Sequence, residues 1–519
     1  MSLFNRGAAL RAAVTATVTS AVATGTRPRG RTYEGAPAWM HEPKGELFLA
    51  AVTSFAGADT FYESAEARLE RVSVLARQVA VEDVDWLTRL VRWTRDEANL
   101  RSIAIVIAAE GVAGRLAVGA HGGNRQLVAA ALRRADEPGE LVAYWMAHYG
   151  RALPKPVKRG VGDAVRELYT ERALAKYDTD SAAVRFGDVL ELVHPWPLAP
   201  WQGDLFAYAI SRRHDRADVV PASLPVLEKR RALLAVPPTD RRRALLDGAD
   251  LQAAGMTWES VAGWLGGPLD KDVWEALVPT LGYMAALRNL RNLDEAGVSN
   301  AVAATLARRL GDPAQVARSR QLPLRFLSAY REAPSLRWAA ALEAALDASL
   351  TNVPALPGRT LVLVDRSGSM QWPLSPRSKV TRADAAALFG SAVALRAADA
   401  TLVEFGTSSR VLRVPRAESL LRTIERFGDL GGTDTERAVR EHYHRHDRVV
   451  IVTDEQAAYG DPTGAVPATV PVYTWNVAGY TAAHGPSGRG NRHTFGGLTD
   501  GAFRAIPLLE RGTSAPWPF

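Results

Sequence analysis

The apolar run Leu361-Val-Leu-Val364 stops at Asp365-Arg-Ser367-Gly-Ser369, and this junction constrains the fold more than any other feature of the chain. The run is short and half β-branched, as expected for a strand buried on both faces inside a helix-covered parallel sheet. Such sheets bind ligands beyond the carboxyl ends of their strands, where Asp365, Ser367 and Ser369 fall. A hard divalent cation such as Mg²⁺ takes oxygen ligands in near-octahedral array, and one carboxylate with two hydroxyls supplies part of that shell. A second apolar strand, Val449–Thr453, ends in Asp454, and Gly431-Gly-Thr433-Asp434 precedes a helical segment and offers another hydroxyl. Each piece alone is commonplace: a capped turn, a loop, a strand end. Occurring in order and in suitable elements, they predict one metal site from Asp365, Ser367, Ser369, Thr433 and Asp454. A remaining position is left for water or for an acidic group from a partner.

The surrounding pattern agrees. Short β-branched runs at 360–364, 400–405, 448–453 and 470–477 alternate with helical segments at 382–398, 416–427 and 435–442. That alternation implies right-handed βαβ units and a mostly parallel, doubly wound sheet. The whole resembles the von Willebrand factor A fold with its metal-ion-dependent adhesion site. Residues 358–519 are assigned to such a domain, with its last helix within 497–510. The resemblance implies a cation that bridges to a partner carboxylate and does not activate water.

Before Leu350 the texture is helical. Residues 83–99 carry Trp86, Leu87, Leu90 and Trp93 on one stripe, 103–109 form a continuous apolar run, and 156–169 place Val157, Val161, Ala164 and Leu168 on one face. A long helical segment, interrupted near Gly282, is expected over 273–293. Successive helices joined by short Gly/Pro/Asp turns suggest an α-solenoid of the HEAT type, although no exact repeat is present. With 519 residues the chain exceeds what one core of about 250–300 residues supports. The Pro- and Gly-bearing stretch 351–358 serves as the linker.

Composition removes several alternatives. There is no cysteine, which excludes disulfides, thiolate metal sites, iron–sulfur clusters and a cysteine nucleophile, and fits a cytoplasmic, reducing setting. No apolar run of about 18 residues occurs, so no membrane-spanning helix is expected. The stretch 1–22 is broken by Thr15, Thr17 and Thr19, so residues 1–30 are assigned to a polar arm and not to a cleaved leader. Net charge is +7 with neither half strongly basic, so nucleic acid would have to be held by local patches. Nucleotide-binding and metalloprotease motifs are missing, and no catalysis is expected. The enzymatic alternative is a hydrolase using the metal at Asp365 with Asp434 or Glu455 as base. The His442-Tyr-His444-Arg-His446 tract is taken as a polar helix end and not a metal site.

Several stretches of the helical part resemble the TROVE domain of Ro ribonucleoproteins, and specifically bacterial Ro proteins. These are Gly150-Arg-Ala-Leu-Pro-Lys-Pro-Val-Lys-Arg-Gly160 with Asp163–Tyr169, Ala173–Tyr177 with Asp188–Pro195, and Val273–Leu277 with Met284–Leu290; Thr60–Glu63 and Leu100–Ile103 add to them. The resemblance assigns residues 31–350 to a TROVE domain. It implies a HEAT-like helical ring closed by the A domain, a structured Y RNA on the outer basic surface, and single-stranded ends of misfolded or unprocessed RNA in the central hole. It further implies an exoribonuclease partner, polynucleotide phosphorylase or another, and a monomer before RNA binds. Lys176 and His194 fall on motif positions that contact RNA in that family. Beside the resemblance, Lys155, Arg159 and Arg166 lie within about 40° of one another on a helix of 100° per residue, with Lys158 at their flank. A basic position expected soon after Lys176 is replaced by Asp178 and Asp180, and Arg185 is the candidate substitute. Lys229–Arg231, Arg241–Arg243 and the arginines Arg288, Arg291, Arg308, Arg309, Arg318 and Arg320 could line a groove or simply be ion-paired. Trp145, Trp196 and Trp201 could stack bases, with burial in helix packing the expected fate of most. The alternative from another class is a protein-binding A-domain adaptor whose solenoid grips protein.

Overall fold

The computed structural model describes residues 42–53, 65–98, 100–216, 219–321, 323–333, 335–351, 353–374, 378–415, 418–456, 462–478, 491–496 and 505–510, with a few isolated positions nearer the termini. The expected arm over 1–30 except Gly30, the stretch Thr60–Glu63 and residues 497–504 lie outside the described residues.

From Pro43 to Ser349 the described chain is helical. The helix Val84–Asp96 starts where Asp83 caps it, accepting the Trp86 N–H at 2.9 Å, and buries Trp86, Leu87, Leu90 and Val91. The run 103–109 is entirely buried within the helix Ser102–Ala117. That helix sits very close to Ala65–Glu82: a Cβ at Gly114 would lie 2.7 Å from the Arg77 Cβ, so only glycine allows the approach. The helical segment expected over 273–293 is broken near Gly282 as expected, and again at Asn289, into Lys271–Leu277, a 3₁₀ turn Val278–Thr280, Tyr283–Arg288 and Leu290–Glu295. Pro279 cannot donate to a continuing helix, and the Asn289 side chain bonds back to the Ala285 carbonyl at 2.8 Å, marking the second break.

The last helix of this part ends at Ser349, and a six-stranded sheet begins at Leu356. Its strands are β1 (Leu356–Asp365), β2 (Ala397–Phe405), β3 (Ser409–Leu412), β4 (Arg448–Thr453), β5 (Val472–Asn476) and β6 (Arg492–Gly496), in the order β3-β2-β1-β4-β5-β6. All neighbours are parallel except β2–β3. Val362 and Val364 of β1, Leu402 of β2, and Val450 and Val452 of β4 face the helix Arg382–Arg396 in a core continuous with helices from Leu245 onward. Leu361, Leu363, Val403, Phe405, Val449 and Ile451 face the opposite side, with Val439 of the helix Thr435–His442. Coverage of both faces is why these strands are solid apolar runs in sequence. The edge strands β3 and β6 were not anticipated, and the helix expected over 416–427 is reduced to Leu420–Ile424.

The first described helices meet the C-terminal part of the chain. Arg68, on Ala65–Glu82, donates to the Ala478 carbonyl just beyond β5 at 2.6 Å. Trp517 packs edge-on against Trp86 at 4.8 Å between ring centroids and against Phe48 at 5.4 Å, with Phe519 5.6 Å from Trp86. The first helices thereby join the far side of the A-type sheet, closing the helical arc on itself.

Candidate metal centre and nucleic-acid interface

Sheet order alone fixes one site. The chain leaves β1 toward β2 on one side and reaches β4 on the other, so the crevice at their carboxyl ends is the switch point where open α/β sheets take ligands. Asp365 closes β1 and Asp454 follows β4, both fully buried. Asp365 accepts the Ser367 N–H at 2.8 Å on one oxygen and the Thr453 hydroxyl at 2.6 Å on the other. Ser367 and Ser369 hydroxyls are 3.4 Å apart. Asp454 accepts the Gln456 N–H at 3.1 Å through one oxygen; its other oxygen is buried with no hydrogen-bond partner.

The Gly431–Thr433 loop is sewn to the same corner. Ser367 bridges Gly431, the Leu430 N–H donates to the Arg366 carbonyl at 3.1 Å, and the Gly432 N–H to Thr407 Oγ1 at 2.8 Å. Gly431 turns with φ 76°, a left-handed conformation that favours glycine. Thr433 is half-buried on this loop, and two residues on the Thr435 hydroxyl is buried without a partner. Burial drives the Asp365 carboxyl upward, and burial followed by the neighbouring Asp365 charge pushes Asp454 to about 7. Two buried carboxyls repelling each other, with an acceptor oxygen left over, form a deficit that a divalent cation would satisfy. The five predicted residues are thus brought to one corner, and the donor set fits a hard metal. Thr453, which positions Asp365, was missed; its only trace in sequence is a hydroxyl residue before the second strand-end aspartate.

Neither candidate base is uncommitted. Asp434 caps Thr435–His442 through the Arg437 N–H at 3.0 Å, and Glu455 accepts from Asn476 at 3.3 Å. The histidine tract is divided: His442 bonds Ser409 at 2.8 Å, while buried His446 bonds Thr401 at 3.0 Å.

The second site lies on the helix Lys155–Leu168. Pro154 and Pro156 bracket its start, and Val157, Val161, Ala164 and Val165 are buried against neighbouring helices. Lys155 and Arg159 are exposed, and Lys158 and Arg166 half-exposed. Among the described residues none of these four forms an ion pair, and the nearby Asp163 is taken by Arg125 through two bonds of 2.6 Å. Several of the other candidate cations are committed elsewhere. Arg242 pairs with Asp270 and Asp272, Arg243 with Asp247 and Arg291 with Glu295, while Arg241 and Arg309 cap the Trp264 and Leu281 carbonyls. Arg185 is held by Asp178 at 2.9 Å and Asp180 at 2.8 Å, so it does not replace the basic position expected after Lys176.

His194 is exposed and ends the helix Phe186–Val193 in a left-handed conformation, φ 52°, its N–H bonding the Leu190 carbonyl at 2.9 Å. A Cβ on Gly162 would touch Val193 and Pro195 at 3.4 and 3.8 Å, so the chain around His194 lies directly on the basic helix. Lys176 is exposed over the Tyr177 ring at 4.9 Å and opens on a cleft of about 400 Å³ that also carries Asp136 and Glu140 and includes none of the other five residues. Trp145 is buried, as expected of most tryptophans, whereas Trp196 and Trp201 are exposed, contrary to that expectation.

A TROVE domain model matches residues 253–337. The crystal structure of the Ro (RSR) protein of Deinococcus radiodurans superposes with a TM-score of 0.62 over 90% of this chain and 100% of that one, at 20% sequence identity. The chain has the Ro fold and carries a TROVE segment. No curated protein matches the sequence significantly. In this Ro-fold chain the helical ring and the A-type sheet are therefore the architecture expected from the residues. The matched TROVE segment holds the Val273–Leu277 and Met284–Leu290 stretches but stops short of the basic helix. Among the described residues no helix is long and apolar enough to cross a membrane.

Proposed function

We propose that this chain is a non-enzymatic RNA-binding scaffold of the Ro type, holding a structured small RNA of the Y class on the helix Lys155–Leu168. The observation that carries this is the row of four cations on one solvent-facing helix face, none in an ion pair among the described residues. Phosphates bind such a row through charge, independent of base sequence. His194, held on the same face, is the further contact, and Lys176 extends the surface toward its cleft. Single-stranded ends of misfolded or unprocessed RNAs are the second ligand, and an exoribonuclease such as polynucleotide phosphorylase the partner that acts on them. Asp365, Ser367, Ser369, Thr433 and Asp454 would hold a divalent cation, Mg²⁺ by the hardness of its donors, and a cation there supplies an open position for a partner's carboxylate.

Native purification from the host at low salt, followed by sequencing of the accompanying nucleic acid, tests this. One abundant small RNA with a stem formed by its paired ends is expected. A second reading, a protein-binding A-domain adaptor, is favoured by the orphan oxygen of Asp454. It predicts a co-purifying protein that survives nuclease, is lost on chelation, and comes without enriched RNA.

A further inference from the structure

Immediately after His194 the chain runs Pro195-Trp-Pro-Leu-Ala-Pro-Trp201. Trp196 is 84% exposed, Leu198 59% and Trp201 40%. A large apolar side chain left this bare is the informative exception on a folded surface, and here three lie within six residues. The turn is rigid. Prolines at 195, 197 and 200 fix φ at three positions of the turn, and Pro200 opens the helix Pro200–Arg213. The buried Gln202 side chain accepts the Leu198 N–H at 2.8 Å and donates to the Arg166 carbonyl at 2.8 Å. That pair of bonds staples the turn to the end of the basic helix.

Its position on that helix is specific. Gly162, against which Pro195 rests, lies four residues from both Lys158 and Arg166 and three from Arg159, in the middle of the cationic row. A Cβ there would meet Val193 and Pro195 at ordinary contact distance, so the turn packs directly against this glycine. The exposed indole of Trp196 is therefore carried at the edge of the phosphate-binding row, braced by proline and by Gln202, and not swung out on a mobile loop.

We infer that Trp196, with Trp201 and Leu198 beside it, is a stacking platform for an unpaired base of the RNA held by Lys155, Lys158, Arg159 and Arg166. Charge selects RNA as the occupant: the apolar patch is bordered by cations whose complement is a phosphate backbone, and every base has a π face to lay on an indole. Stacking needs a base free of its duplex, so the platform would favour RNA with a single-stranded segment next to a stem. This rests on the RNA-binding reading above.

Two probes separate the possibilities by fluorescence anisotropy: a hairpin RNA with a single-stranded 3′ run of adenosines, and the same hairpin without it. For Trp196→Ala the tailed hairpin is expected to bind on the order of ten-fold more weakly, the blunt hairpin unchanged, and the dependence on salt unaltered, because no charge is lost. Trp196→Phe, which keeps an aromatic face, is expected to restore most of the affinity. Being so exposed, Trp196 can be replaced without disturbing the core, and an unchanged melting temperature checks this. If Trp196→Ala binds the tailed hairpin normally while Lys158→Glu/Arg159→Glu does not, the platform is refuted and the basic face stands. Equal loss on both hairpins also refutes base stacking. If Lys158→Glu/Arg159→Glu binds both hairpins normally, the RNA-binding reading itself fails and takes the platform with it.

Discussion

Neutralising half of the cationic row gives the sharpest quantitative expectation. Lys155, Lys158, Arg159 and Arg166 present four charges without ion pairs on one helix. If each displaces a counterion from duplex RNA as it would from duplex DNA, log K falls with log salt at a slope of about −0.9 per contact, or about −3.6 for the row. Raising salt from about 50 to about 200 mM then weakens binding by about two orders of magnitude. Lys158→Gln/Arg159→Gln should halve the slope to about −1.8, so that the same salt step costs only about ten-fold. The assay is anisotropy titration of the blunt hairpin at several salt concentrations, which reads slope and affinity separately. Glutamine retains side-chain length and polarity, and both positions face solvent, so folding is not at stake. A slope near −1 in the unmodified protein, or one that the double substitution leaves alone, would refute the claim that these residues hold phosphates.

Three further outcomes follow from the geometry. In the presence of a chelator the A-type domain should lose stability as pH rises from about 4 to about 7: the folded Asp454 carboxyl, held up to about 7, keeps a proton that the unfolded chain has already released. Melting curves across that window, flattened in Asp454→Asn, check the sign, and Mg²⁺ should raise the melting temperature more at pH 8 than at pH 6. Glu137 is fully buried, accepts from Arg95 at 2.6 Å and from the Arg133 and Arg134 N–H groups at 2.7 and 2.9 Å, and forms an ion pair with Arg101 at 3.0 Å. Glu137→Ala should cost about 3–5 kcal/mol in urea unfolding by stranding the buried Arg95, and Glu137→Gln less. A Cβ at Gly390 would lie 2.3 Å from Val364 Cγ2; Gly390→Ala should destabilise by about 1–3 kcal/mol or more and, by displacing the strand that ends in Asp365, blunt the response to Mg²⁺.

The elements legible in the sequence are those whose burial is set by local pattern. β1 and β4 could be placed because both faces are covered, leaving unbroken apolar runs, and Val84–Asp96 and Lys155–Leu168 because one face alone is buried. The metal corner was legible for the same reason: in a parallel sheet a strand end fixes where its following aspartate points, so Asp365 and Asp454 could be paired from 89 residues apart in the numbering. Short edge strands such as β3 and β6 carry little apolar signal, and the break at Asn289 depends on a single backbone bond, so they escaped, whereas the interruption near Gly282 was legible from its glycine.

What only the tertiary structure decided is which polar groups are already satisfied. Composition cannot distinguish Arg185, locked between Asp178 and Asp180, from Arg159, which forms no ion pair, because ion pairing is a matter of distances between helices. Nor can it tell buried Trp145 from exposed Trp196, since the turn that carries Trp196 is lifted onto the basic helix by Gln202 and by the space beside Gly162. The sequence by itself determined the central strands and the apolar faces of the helices, which follow from periodicity along the chain, and the strand-end residues proposed as metal ligands, which follow from motif and order. The free charges, the bare indole and the closure of the ring on Arg68 and Trp517 arise from contacts between residues far apart in the chain, and those exist only once it has folded.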